Sequence, residues 1–387
     1  MKLPVYLDHN ATTPVDPAVL AAMLPYLQEH FGNPASDHAF GHTALDAVNT
    51  ARTQVADLLH CHSDEVVFTA CASESDNLAI KGIAFSLREK GRHLITTAVE
   101  HPAVLAACRY LEREFGFALT ILPVGPDGRV DPADVRKALR PDTILISVMH
   151  AQNETGSLQP VAAIGQIARE AGVLFHVDAA QSVGKIPVDV DELGCDLLTV
   201  AGHKLYAPKG VGALYVRNGV PLHPLVHGAA YENGRRGGTL NVPYAVALGE
   251  ACAIAGEHLA SGEADRQRAL RDRLHARLAA SLPLQLNGHE TERLPNTLNV
   301  SLTRGSLTGP AWLAAVPEIA ASTSSACHSG VNRPSEILLA MGLSPELALS
   351  AVRLSVGRFT TMDEVDFAAE RLIAGGTTWE YPPPSGL

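Results

Sequence analysis

The sequence predicts an α/β protein: a large domain built on a mainly parallel sheet with helices on both faces, and a smaller α+β domain beside it. Three observations lead there. From about residue 65, short apolar runs alternate with helical stretches as far as residue 216, the order that successive βαβ units produce. Runs such as Val173-Leu174-Phe175-His176-Val177 are apolar almost throughout, as strands buried on both faces are. After Tyr244 the pattern changes to a long helical stretch and then a second alternation of strands and helices.

The N-terminal run Met1-Lys2-Leu3-Pro4-Val5-Tyr6-Leu7-Asp8 reads as a strand entering the fold, with too short an apolar stretch for a signal peptide. A strand is expected over 65–69 and a helix over 75–90. A strand over 93–99, a helix over 103–115 and an extended run over 119–124 follow. Asp131-Pro132 starts a helix, a capping acid followed by Pro at the first turn. The segments 143–149, 161–171, 173–177, 197–200 and 212–216 continue the alternation. A helical stretch over 245–280 and a strand over 294–301 belong to the smaller domain, which runs on to 373 and is completed by the N-terminal segment. The expected division is 15–255 for the large domain and 1–14 plus 256–387 for the small one. The tail 381–387, rich in Pro, is expected to fray.

Composition narrows the function. The chain has 387 residues, 46% hydrophobic and 18% charged, enough to bury a large core. A formal charge of −11 argues against nucleic acid or an anionic membrane as the main partner. No apolar run approaches the ~18 residues a membrane helix needs. The six cysteines are scattered without a C-x-x-C pair, so neither a zinc site nor a disulfide framework is signalled and the reducing cytoplasm is the expected compartment. His60-Cys61-His62 fits a helix end better than a metal site, because adjacent side chains point apart.

The chemistry begins with an acid and an amine. The strand ending at Asp178 and the next apolar run, Leu197-Leu198-Thr199-Val200, which leads into Ala201-Gly202-His203-Lys204, put both groups at strand ends of one sheet. Open parallel sheets bind ligands outside the carboxyl ends of their strands. A lysine that forms a Schiff base, with an acid for the pyridinium nitrogen, is the protein side of pyridoxal-phosphate chemistry. Between the first predicted strand and its helix, Ala70-Cys71-Ala72-Ser73-Glu74-Ser75 offers small residues, a hydroxyl at Ser73 and free helix N–H groups near Ala72 for a phosphate. An ordinary capping arrangement has the same composition. His101, after another strand, can stack on a ring and carry protons, or simply cap a helix. Asn153 can bond a ring oxygen or a substrate carboxylate, and Gln181 lies one helical turn beyond Asp178. Arg353 and its rival Arg358 each suit bidentate capture of a carboxylate. Cys327, in Ser324-Ser325-Ala326-Cys327-His328-Ser329-Gly330, sits in a polar, small-residue stretch suited to a mobile, reactive loop. Cys108, Cys195 and Cys252 lie in apolar patterns and read as packing residues.

Taken together, these residues resemble the cysteine desulfurases of the NifS/IscS type, in the class V aminotransferase group of fold-type I pyridoxal-phosphate enzymes. The resemblance runs from Tyr6-Leu7-Asp8-His9-Asn10-Ala11-Thr12-Thr13-Pro14 to Gly357-Arg358-Phe359-Thr360-Thr361. It includes Gly32-Asn33-Pro34, Glu74-Ser75-Asp76-Asn77-Leu78-Ala79, His176-Val177-Asp178-Ala179-Ala180-Gln181, Gly202-His203-Lys204 and Leu294-Pro295-Asn296-Thr297-Leu298-Asn299. It implies a large domain with a seven-stranded type of sheet. It implies that Lys204 is the Schiff-base lysine and base, that Asp178 pairs the pyridinium, and that His101 stacks on the ring and handles thiol protons. Asn153 and Gln181 would address the ring substituents. Ala72, Ser73 and His203 would hold the phosphate, with Thr239 from the partner subunit of a homodimer. Arg353 and Asn33, with Asn153, would bind the carboxylate of L-cysteine. Cys327 would take the sulfur as a persulfide, alanine would leave, and a sulfur-acceptor protein would follow.

Four places depart from that family's usual pattern. The phosphate loop, usually Ser-Gly-Ala-Thr-Glu, is Ala70-Cys71-Ala72-Ser73-Glu74. A Ser three residues before the lysine is Ala201. Gly-Gly-Gly-Gln-Glu is Gly228-Ala229-Ala230-Tyr231-Glu232, and an Asn-Asn pair is Gln152-Asn153. Selenocysteine lyase, an aminotransferase and a non-catalytic scaffold on the same fold are the rival readings.

Overall fold

The computed structural model of the chain describes residues 2–323, 327–328 and 331–377; for Cys327, His328, Val331 and Asn332 it describes the backbone alone. The predicted frayed tail, 381–387, lies outside the described residues. Strand β1 (Val5–Tyr6) is followed by helices α1 (Pro17–Gln28) and α2 (Ala39–Leu59). The alternating region then supplies β2 (Val66–Thr69), α3 (Ala72–Leu87), β3 (His93–Thr97), α4 (Pro102–Phe115), β4 (Ala118–Leu122), α5 (Pro132–Ala138), β5 (Thr143–Met149), α6 (Val161–Ala171), β6 (Leu174–Asp178), α7 (Val190–Leu193), β7 (Leu197–Ala201) and β8 (Gly212–Val216).

These segments obey local rules. Asp131 caps α5 by accepting from Ala133 N at 2.8 Å, and Pro132 fills the first helical position, where a missing N–H costs nothing. His60 closes α2 in the left-handed region at φ 56°, so the His-Cys-His run is a helix end. β5 is buried at every position, as a central parallel strand must be.

The main sheet has seven strands in the order β2-β8-β7-β6-β5-β3-β4. Neighbours are parallel from β7 to β4. β8 is antiparallel to both β7 and β2, so it alone runs against the rest. The carboxyl ends of β2, β3, β5, β6 and β7 therefore share one edge, and every loop that follows one of them opens there.

The predicted long helix is two: α8 (Val242–Ala260) and α9 (Glu263–Ser281). Gly262, at φ 87°, separates them in a conformation that side chains with a Cβ rarely adopt. The rest of the chain adds β9 (Leu284–Leu286), β10 (Thr297–Leu302), α10 (Gly309–Ala314), β11 (Ile319–Ala320), β12 (Ser322–Thr323), β13 (Cys327–His328), β14 (Val331–Asn332), α11 (Glu336–Ala340), α12 (Pro345–Ser350), β15 (Val352–Ser355) and α13 (Met362–Thr377). β12, β15, β10 and β9 form an antiparallel sheet in that order, and β1 pairs parallel with β11. One apolar core gathers residues from Val19 to Cys252 around the main sheet. Another joins Val5 and Leu7 to Leu270, Leu298, Trp312, Leu354 and Leu372. The N-terminal segment thus packs with the C-terminal third of the chain.

Candidate active site

A cavity of about 230 Å³ opens at the shared carboxyl edge of the sheet. Ala72, Ser73, His101, Asn153, Asp178, Gln181, His203 and Lys204 all line it, with Ala11, Cys71, Asp76, Met149, Ala151 and Ala180. Eight side chains singled out from the sequence, spread over more than a hundred residues, meet in one place.

Strand ends deliver the charged pair. Asp178 closes β6, and its Oδ1 accepts from Ala180 N at 2.9 Å, which fixes the carboxylate. Lys204 closes the single turn after β7. Burial pushes the Lys204 amine down to about 8, with the Asp178 carboxylate holding it up and the Arg353 guanidinium pushing it further down. An amine so placed reaches its neutral form near physiological pH, where it is both a carbonyl nucleophile and a base.

His101 does two things at once. Its Nδ1 accepts from Ala103 N at 3.2 Å, capping α4, and its ring lines the cavity. Because a backbone N–H donates to Nδ1, the proton of the neutral ring is on Nε2. Burial lowers the His101 pKa, with Asp178 opposing and Lys204 adding to the fall. The turn that carries it is pinned by Glu100, whose carboxylate accepts from Thr97 Oγ1 at 2.7 Å and from Met149 N at 2.9 Å. Gln152 performs a similar service for Asn153: its Oε1 accepts from Thr155 N at 3.0 Å and shapes the turn. Here the departure from an Asn-Asn pair has a structural use.

At the other end lies the start of α3. Cys71 makes no side-chain cap there, and neither the Ala72 nor the Ser73 N–H has an acceptor among the described residues. Ser75 Oγ, 2.8 Å from Thr69 Oγ1 and 3.1 Å from Ala213 O, fastens this turn to β2 and β8. His203 is held down to about 4 by burial and by Lys204, Lys209 and Lys185, so it faces the cavity as a neutral ring.

Four predicted residues stand apart. Arg353, on β15, donates from Nη1 to Asn153 O at 3.1 Å and from Nη2 to Asp8 Oδ1 at 2.8 Å, while its buried Nε has no partner among the described residues. Its rival Arg358 is committed elsewhere, paired with Asp16 at 2.7 Å and stacked 4.2 Å over Tyr206. Asn33 is exposed and accepts from Ala35 N at 3.0 Å, outside the cavity lining. Thr239 lines a neighbouring cleft with Phe68, Ala70 and Arg236. The backbone of Cys327 pairs with β14, and its side chain lies outside the described residues.

The loop that carries Thr239 has its own anchor despite the altered Gly228–Glu232 run. Arg52 pairs both guanidinium nitrogens with Glu232 at 2.7 Å, and Phe68 N donates to the same carboxylate at 3.0 Å.

Sequence reasoning missed Asp76, Asn10 and Lys185. Asp76 is fully buried and lines the cavity. His176 Nε2 lies 3.7 Å away. Burial first, then the Asp178 charge, drives its carboxyl well above the ordinary range. Its position one helical turn after Ala72 was the available signal, lost because the helix was expected to start only at 75.

A family model described as "Aminotransferase class-V" matches residues 5–367. A protein named "Cysteine desulfurase IscS" from Anaeromyxobacter dehalogenans is 51% identical over 372 residues, covering 95% of this chain and 91% of that protein. Among solved structures, a "NIFS-like protein" superposes with a TM-score of 0.89 at 37% identity, over 96% of this chain and 98% of that one. "SspA in complex with cysteine" gives 0.81 at 38% identity, over 92% and 99%. Matched over residues 5–367 by the family model and over 95% of its length by a relative, the chain belongs to the class V aminotransferase family, among the cysteine desulfurases of the NifS/IscS type.

Proposed function

We propose that the chain is a pyridoxal-phosphate enzyme that removes sulfur from L-cysteine, leaves L-alanine, and carries the sulfur as a persulfide on Cys327. One observation carries the reading: Lys204, Asp178 and His101 face one cavity whose far end presents unpartnered N–H groups of α3.

The residues fit the cofactor. Asp178 would accept from the pyridinium N–H, the Ala72 and Ser73 N–H groups with His203 would hold the phosphate, and Lys204 would carry the aldehyde carbon. Bound there, pyridoxal phosphate supplies an electron sink for the substrate α-carbon. Lys204, poised near pH 8, takes the α-proton and returns one. Arg353, with a free buried Nε, holds the substrate carboxylate with Asn153. Asn33, exposed in this chain, is assigned to the same carboxylate. His101 exchanges a proton with the substrate thiol through Nε2. The Cys327 thiolate attacks the substrate sulfur. The S–S bond forms as the Cβ–S bond breaks, its electron pair stays with the carbon fragment, and protonation releases alanine.

Thr239, outside this chain's own cavity, is assigned to the cavity of a second copy in a homodimer. The division at residues 14/15 and 255/256 has the support of two separate apolar cores. The persulfide is assigned to an acceptor protein of iron–sulfur or thio-cofactor assembly in the cytoplasm. No helix among the described residues is long and apolar enough to cross a membrane.

The test is mass spectrometry after incubation with L-cysteine, with alanine assayed in solution. One added sulfur on the Cys327 peptide, with alanine, is expected. Full desulfuration by Cys327→Ala would remove the persulfide role, and faster turnover of selenocysteine that ignores that substitution would favour a lyase.

A further inference from the structure

Lys185 is a buried lysine without an anionic partner among the described residues. Its Nζ donates to Gln181 Oε1 at 2.8 Å and to Asn10 Oδ1 at 3.1 Å. Gln181 in turn donates from Nε2 to Asn10 O at 3.0 Å. Asn10 is held independently: its Nδ2 donates to Thr297 Oγ1 at 2.8 Å, and Asn296 Nδ2 donates to its Oδ1 at 3.0 Å.

These bonds decide which way the Gln181 carboxamide points. A flipped amide would set N–H₂ against the Lys185 N–H groups and Oε1 against a carbonyl oxygen. The contact of Oε1 with the Asn10 carbonyl would be repulsive and a Lys185 N–H would lose its acceptor, and both groups are buried, where an unmade hydrogen bond is expensive. Gln181 therefore keeps one uncommitted polar hydrogen, the second one on Nε2, and Gln181 lines the cavity. We propose that Lys185 is a positioning residue that locks Gln181 as a hydrogen-bond donor toward the phenolic oxygen of the cofactor. The inference rests on the reading that the cavity holds pyridoxal phosphate.

The amine suits this task. Burial, then Lys204 and Arg353, drives its pKa well below the usual range. Two N–H groups of Nζ are directed at carbonyl oxygens, Gln181 Oε1 and Asn10 Oδ1. The charged or titratable groups facing this corner are His9, His203, Lys204 and Arg353 on the Lys185 side and Asp76, Asp178 and His101 across the cavity. None of them is altered in the variants below.

The readout is the pH midpoint of the bound cofactor's visible absorption, which rises when its phenolate loses a donor. Holoenzymes of wild type, Gln181→Ala, Lys185→Met and the double variant are titrated, and cofactor release is followed by fluorescence. Both single variants should move the midpoint upward by about one unit, the scale of one hydrogen bond to a charged oxygen. The double variant should move it no further than Gln181→Ala alone, because Lys185 acts through Gln181. An unshifted Lys185→Met holoenzyme, or additive shifts in the double variant, overturns the proposal. Should Lys185→Met not fold, Lys185→Gln decides: its shorter arm reaches at most one oxygen and should give a smaller upward shift, and no shift overturns the proposal. A wild type without a visible band refutes the cofactor reading itself, a distinct outcome.

Discussion

Replacing Lys204 with Met should make the apoprotein more stable while abolishing turnover. The lysine is half-buried in the cavity at the strand ends, and desolvation there lowers its pKa from 10.5 to about 8. Below pH 8 the folded apoprotein therefore carries a charge that the unfolded chain solvates better. At about 1.4 kcal/mol per unit, the penalty is about 3 kcal/mol. The sign follows from proton counts. Between pH 8 and 10.5 the unfolded chain binds more protons at this site than the folded one, so wild-type stability rises with pH across that window. Below about 8 the penalty is full, and above 10.5 it is gone. Met has a similar volume and no charge to desolvate. Urea unfolding of the two apoproteins should show Lys204→Met ahead by up to about 3 kcal/mol at pH 7, with the gap closing by pH 10.5. Equal stabilities at pH 7, or a gap that widens with pH, would refute the reasoning.

Asp178→Asn should lower the Lys204 pKa below about 8, because that carboxylate is the main charge holding it up; the pH dependence of cyanate labelling of Lys204 in the apoprotein reads this directly. Glu232→Ala removes a buried carboxylate and leaves the half-buried Arg52 guanidinium without its ion pair, and should cost up to about 3 kcal/mol in urea unfolding, the low end of the range for breaking a buried pair from one side. A loss under about 1 kcal/mol would mean that the pair sits as an exposed one does.

The strand and helix pattern of the large domain was legible because buried parallel strands must be apolar throughout and their helices carry ordinary caps. Boundaries slipped where a cap was ambiguous. The helix expected from 75 begins at Ala72, because Cys71 gives no capping signal, and that slip hid Asp76. The split between α8 and α9 depended on Gly262 adopting a left-handed conformation, which a Ser-Gly pair allows without requiring. Lys204, Asp178, His101, Asn153 and Gln181 were legible because strand ends of a parallel sheet converge by topology. Lys185 was not, because a lysine in a Gly-containing loop looks exposed until tertiary packing closes over it. His101 shows that the bland and the functional readings need not compete: the ring caps a helix and lines the cavity with different atoms.

The ionisable groups around the cavity share a tendency that explains why so many polar residues are tolerated there. Burial drives Asp76 and Glu100 toward neutral acids, Lys204 and Lys185 toward neutral amines, and His101 and His203 toward neutral rings. Each step lowers the cost of desolvating that group. The shifts of Asp76 and Glu100 reduce the competing negative charge around Asp178. In a low-dielectric site a carboxylate acts on its neighbours far more strongly than in water. A cofactor ring nitrogen beside Asp178 would thus meet a nearly undiluted field, and the ring would keep its proton. The altered phosphate loop does not disturb this arrangement, because Cys71 and Ala72 lie at the opposite, helix-α3 end of the site. The chemistry at Lys204 depends on the acid end, and that end is intact.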